Sequence, residues 1–163
     1  SKKNLVWEFK NKVVLVRDMP AVGRGFIERL EPPDIKNFYW TKPSPKNSRK
    51  VAVISTAAVS KRGDRPFSWL ARDHRVIGKN DRDLVMTHVA VEYDRTAWQL
   101  DLNTILPLDR LNEMAKDNEI GSVAEKHYTF MGAADPRDME KSALEVSSEM
   151  KKEAVDTVFL VPV

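Results

Sequence analysis

Residues 135–163 read DPRDMEKSALEVSSEMKKEAVDTVFLVPV, a helix signature followed by a strand signature. Asp135 is placed to cap a helix, Pro136 suits its first position, and Asp138 and Glu140 sit near its positive end. Met139, Ala143, Val146 and Met150 follow a helical stripe, and Lys151-Lys152 complement the negative end. Thr157–Val161 then forms a short apolar strand. A helix returning the chain to a strand predicts a right-handed crossover in an α/β sheet.

Working backwards, Tyr128–Met131 is a further short strand. Pro107 to Asn118 is a helix with Leu108, Leu111 and Ala115 on one face. Leu84-Val-Met86 reads as a buried strand ending in Thr87-His88, and Val51–Ile54 as a strand covered on both faces. The long connection Ala57–Lys79 is of a length that often carries function. The expected fold is an open, mainly parallel α/β sheet with flanking helices, doubly wound in the Rossmann or flavodoxin manner. Residues 1–49 form an irregular N-terminal arm and linker, and residues 50–163 the domain. In the arm, Lys12–Arg17 reads as a short strand and Phe26–Leu30 as a short helix after a Gly23-Arg-Gly25 turn. Phe38-Tyr39-Trp40 pins the arm to the domain or to a second subunit, or else stacks on a ligand.

Of 163 residues, 42% are hydrophobic and 31% charged, a globular balance. The apolar runs are too short to span a bilayer, and no secretory pattern opens the chain. The 163 residues contain no Cys, which excludes disulfides, thiolate metal sites and thiol catalysis within them and fits a reducing cytoplasm. The net charge of +3 is uneven: residues 1–80 carry 18 Lys/Arg and 7 Asp/Glu, whereas 81–163 carry 9 and 17. Without a nucleic-acid motif, this asymmetry reads as complementarity within or between chains, with no nucleic-acid or membrane partner expected.

In such sheets ligands bind beyond the carboxyl ends of the strands. Ser55-Thr56-Ala57-Ala58, Thr87-His88 and Val163 reach that edge. His88 is the leading candidate: an imidazole at a strand end transfers protons near neutral pH, or it closes the strand by bonding a loop carbonyl. Tyr93 and Asp94 follow in the same loop: the Asp94 carboxylate could orient His88 or hold a substrate ammonium, or equally cap loop amides, and Tyr93 is a candidate substrate contact. Asp101 and Asn103 read mainly as loop caps, with substrate binding as the alternative for Asn103. Asp109 suits a helix start, and Arg110 a surface charge. His127 is the second candidate catalytic histidine, Met131-Gly132 suits a sharp turn beside a substrate, and His74 reads as exposed. The histidines lack metal spacing, Gly23-Arg-Gly25 lacks a third glycine, and no GxSxG element occurs, so neither metal nor cofactor is expected.

The ordered set Asp83-Leu-Val-Met-Thr-His88, Glu92-Tyr93-Asp94, Asp101-Leu-Asn103, Pro107-Leu-Asp-Arg-Leu111 and His127-Tyr-Thr-Phe-Met-Gly132 resembles the B-type (selenoprotein B) subunits of glycine, sarcosine and betaine reductases and the matching subunit of D-proline reductase. The resemblance runs from about Lys50 to Val163. It implies an oxidoreductase subunit in which the strand equivalent to Val158–Val163 leads into a loop carrying selenocysteine or cysteine. That selenol or thiol attacks the substrate's α-carbon and displaces the amine, with electrons coming from thioredoxin. A partner subunit with a pyruvoyl group holds the substrate as a Schiff base. The resemblance also implies a strand-end histidine at His88.

Three expectations follow. The chain is the first part of a reductase subunit, ending where the selenocysteine or cysteine would stand. Or it is a shortened non-redox paralogue acting through His88 with Asp94 or His127. Or it is a non-enzymatic interaction subunit whose last strand meets a second copy or a partner reductase subunit.

Overall fold

A computed structural model of the chain describes residue 17 and residues 20–29, 41–89 and 96–163. In chain order its elements are α1 (Ala21–Glu28), β1 (Lys50–Ser55), β2 (Val59–Lys61), β3 (His74–Gly78), β4 (Leu84–Met86), α2 (Thr96–Leu100), α3 (Leu108–Lys116), β5 (Ser122–Val123), β6 (Lys126–Phe130), α4 (Glu140–Lys152) and β7 (Thr157–Val161). Helix α1 belongs to one compact unit, residues 1–38, and the remaining elements to a second, residues 39–163. Gly23 and Gly25 lie inside α1, so the expected turn is instead helix. The expected strand at 12–17, apart from Arg17, and the aromatic run at 38–40 lie outside the described residues.

Strand β1 is the centre of the second unit, with Val51, Ala52 and Val53 all buried. On one edge it pairs in parallel with β7 from Val51↔Thr157 to Ser55↔Val161. Its other edge takes β5 at the start and β6 at the end, both parallel. Val51 and Val53 pack in a core with Leu108 and Leu111 of α3. Ala52, on the opposite face, packs with Val146 and Met150 of α4. The alternation of inward side chains along β1 therefore gives each face its own helix.

The α/β class is as expected, but the main sheet is mixed. Strand β3 joins the free edge of β6 antiparallel, from His74↔Phe130 to Gly78↔Lys126. Leu84–Met86 is no member of this sheet: β4 pairs antiparallel with β2 in a separate two-stranded ribbon and is only half-buried. A run of three apolar residues carries no period by which sequence could assign its partner. In α4 the buried positions are Ser142, Val146 and Met150, with Ala143 exposed. Ser142 tolerates burial because its hydroxyl donates to the Arg72 carbonyl at 2.6 Å. Asp135 caps as expected, accepting from the Arg137 N–H, but the capped element is a 3-10 turn, Pro136–Met139, that leads into α4.

The register along β1 slips between its two partners. Lys50 faces Ser122, but Ile54 faces Tyr128, so two extra residues are accommodated between β5 and β6. The bulge removes a ladder acceptor from the buried Val53 N–H, which instead donates to His127 Nδ1 at 3.1 Å. His127 is fully buried, and burial pushes its pKa from 6.5 down to about 4. The ring is therefore neutral at pH 7, with its proton on Nε2.

An unfolded chain protonates this histidine near pH 6.5, whereas the folded chain resists until about pH 4. Acid therefore favours unfolding across that interval, by about 1.4 kcal/mol per pH unit from this one proton. Urea titrations from pH 7 to pH 4 should show this slope in the native protein and lack it in His127→Leu. At pH 7 the same variant should lose about 1–3 kcal/mol, since the Val53 N–H is then buried without an acceptor.

Candidate functional site

Strands β1, β6 and β7 run in the same direction, so their carboxyl ends come together on one edge. The loop after β1, Ser55–Ala58, is the point on which they converge. Ser55 Oγ accepts from the Ala57 N–H at 3.2 Å, an internal turn that bends the chain at the strand end. The Thr56 N–H donates to the Val161 carbonyl at 3.1 Å, and the Ala58 N–H donates to the Phe130 carbonyl at 2.9 Å. The Val163 N–H donates to Thr56 Oγ1 at 2.9 Å, so the end of β7 is tied back to the same residue.

Ala58 adopts a left-handed backbone with φ 50°, unusual for a residue with a side chain. Both sides of it are clamped. Its carbonyl accepts from the Thr87 N–H at 2.9 Å and from Thr87 Oγ1 at 3.0 Å. Thr87 Oγ1 also meets Ser60 Oγ at 3.2 Å. A conformation of this kind persists only where its surroundings over-determine it, and such positions concentrate at functional sites.

Gly132 completes the edge. It has φ +78°, and a Cβ placed on it would stand 2.7 Å from the Thr56 Cβ. Only glycine lets the chain leaving β6 pass this close to Thr56. Met131, just before it, is buried with Ala58, Phe67 and Ala71.

The structure thus gathers Thr56, Thr87, Met131 and Gly132 around one loop, with half-buried His88 directly following Thr87. It places two other candidates elsewhere. His127 lies within the sheet, its Nδ1 engaged by Val53, and so fills a structural position. Asn103 builds the entry to α3: its side-chain oxygen accepts from the Asp109 N–H at 3.0 Å, and its side-chain amide donates to Asp101 at 2.8 Å. The Asn103 backbone and side-chain N–H groups hold the Asp101 carboxyl below its ordinary range. Tyr93 and Asp94 lie outside the described residues. His74 is not simply exposed, since its ring stands 5.8 Å from those of both Tyr128 and Phe130. Ala58 was missed as a keystone because alanine gives no sequence signal for a left-handed backbone.

The edge offers two threonine hydroxyls, one imidazole and an exposed glycine backbone. This set suits binding a small polar molecule and moving a proton. A hydroxyl without an adjacent base is a poor nucleophile, so the set does not suit covalent attack. Among the described residues, no cluster of three or more His, Asp or Glu could hold a metal ion. No helix among them is long and apolar enough to cross a membrane.

Residues 79–163 match the glycine/sarcosine/betaine reductase selenoprotein B family. The chain is also similar to the D-proline reductase subunit gamma of Acetoanaerobium sticklandii, 28% identical over 147 residues, which is 86% of this chain and 60% of that relative. The chain thus spans less than two thirds of the relative's length. No solved structure matches it.

Gly132→Ala would force a methyl group onto Thr56 and a strained backbone at once. Thermal or urea unfolding should show a loss of about 1–3 kcal/mol.

Proposed function

The chain belongs to the glycine/sarcosine/betaine reductase selenoprotein B family, and from that premise we propose that it forms part of an amino-acid reductase subunit that works with partner subunits in the cytoplasm. The reaction is reductive cleavage of a carbon–nitrogen bond in glycine, sarcosine, betaine or D-proline. Such cleavage needs a soft, ionised nucleophile at the α-carbon, and a selenol or thiol meets that need. These 163 residues contain no Cys, so that group comes from outside them.

The observation that supports this reading is the convergence of β1, β6 and β7 on the Ser55–Ala58 loop. Thr56 holds the end of β7 at the edge where Thr87, His88 and Gly132 also gather. On this reading Thr56 and Thr87 shape a small polar site, with the exposed Gly132 backbone forming one wall and the buried Met131 packing behind it. His88 is the proton donor to the departing amine, a role for which imidazole chemistry at a strand end is suited.

The test is dithiol-dependent turnover of the four substrates by the complex purified with its native partners. One of them should release its amine or open its ring. His88→Ala should lower kcat by about 100-fold or more, with an unchanged unfolding midpoint. Full turnover in that variant would remove His88 from the mechanism, and no turnover of any substrate by the native complex would overturn the reading.

A further inference from the structure

Ser60 is fully buried, and among the described residues its hydroxyl has one partner, Thr87 Oγ1 at 3.2 Å. Thr87 Oγ1 in turn stands 3.0 Å from the Ala58 carbonyl. A hydroxyl carries one hydrogen and two lone pairs, whereas a carbonyl only accepts. The buried Ser60 hydrogen therefore points at Thr87, where its acceptor is. Thr87 then sends its own hydrogen to the Ala58 carbonyl, whose other lone pair takes the Thr87 N–H at 2.9 Å. The bonds run one way, from Ser60 to Thr87 to Ala58. They leave Thr87 Oγ1 with one lone pair and no hydrogen to offer.

The rest of the edge has the same polarity. Thr56 Oγ1 accepts the Val163 N–H at 2.9 Å, and its own hydrogen faces the Val163 carbonyl at 3.4 Å. The Thr56, Ala57 and Ala58 N–H groups are spent on the Val161 carbonyl, Ser55 Oγ and the Phe130 carbonyl. The loop thus keeps no N–H for a carboxylate, unlike anion-binding loops, whose successive N–H groups point outward. Ser60 is sealed inside, whereas Thr56 and Thr87 are half-buried and reach the surface.

We infer that this edge receives the nitrogen end of the substrate, with Thr87 Oγ1 accepting an N–H from it, so that the substrate keeps at least one hydrogen on nitrogen and betaine is refused. The inference rests on the reductase reading and narrows its four substrates to glycine, sarcosine and D-proline. An acceptor with no hydrogen to turn outward pairs with an ammonium N–H, and with nothing on a quaternary nitrogen or a carboxylate. A site built around such a bond rejects the analogue that lacks it, because the acceptor is then desolvated without a partner. Placing the nitrogen here also brings it to the edge that holds His88, the donor to the departing amine in the proposed reaction.

Glycine, sarcosine, N,N-dimethylglycine and betaine lose their N–H hydrogens one methyl at a time, as do D-proline, N-methyl-D-proline and N,N-dimethyl-D-proline. Dissociation constants for both series, on the complex purified with its native partners, separate hydrogen bonding from bulk. Every step adds one methyl, but only the last removes the final N–H. In the series that contains the turned-over substrate, the last step should weaken binding by about 10-fold or more beyond any earlier step. Thr87→Val should abolish that excess, and Thr87→Ser should keep it. The excess is a ratio within one variant, so a lowered unfolding midpoint does not obscure it, and the native series decides by itself if Thr87→Val fails to assemble. Equal steps throughout the native series, or turnover of betaine as fast as of glycine, overturn the inference and leave the reductase reading standing. An excess that survives in Thr87→Val overturns it as well, since another group is then the acceptor. No turnover of any of the four substrates overturns the reductase reading, and this inference with it.

Discussion

The Val53 N–H is a donor deep in the sheet, and its bond to the His127 imidazole decides how the rest of the second unit is arranged. A regular ladder would have continued β5 past Val53 in one register. The two extra residues break that register and shift everything after them along β1. Without an acceptor at Val53, the slip would leave a buried donor unpaired at a cost of about 1–3 kcal/mol. With the imidazole in place, β6 reaches the end of β1 at the level where Phe130 accepts from Ala58. The candidate site is therefore a consequence of the bulge, and the neutral state of His127 belongs to the scaffold.

From that register the edge follows. Three parallel strand ends, one left-handed alanine and one left-handed glycine are packed into a few residues, with Thr56 bonded to the turn of β7 and Thr87 bonded to Ala58. The edge is rigid where it is bonded and accessible at Gly132. The small core of Ala58, Phe67, Ala71 and Met131 packs behind it. Strand β7 adds an exposed apolar surface, with Leu160 at 67%.

Much of this was legible in the sequence where periodicity was long enough to be unambiguous. Helices α3 and α4 and strands β1 and β7 fall where their apolar patterns and charged ends place them. The stripe on α4 was read one residue off at Ala143, because the buried Ser142 owes its place to a carbonyl 70 residues away. Strand β4 was assigned to the wrong sheet, since three apolar residues fit either. His127 was read as a catalytic candidate because sequence shows a titratable group but not the amide, 74 positions distant, that engages it. The rule that strand ends carry function singled out Thr56, Thr87 and Gly132, which the structure places at one edge of the sheet.

The claim at the centre is that substrate meets this chain at the Ser55–Ala58 edge. Hydrogen–deuterium exchange on the assembled complex, with and without saturating D-proline, glycine, sarcosine or betaine, tests it directly. With the true substrate, exchange should slow in peptides covering residues 55–58, 87–89 and 131–133. Turnover of a substrate that leaves all three segments unchanged, with protection confined to other parts of the chain, would contradict it.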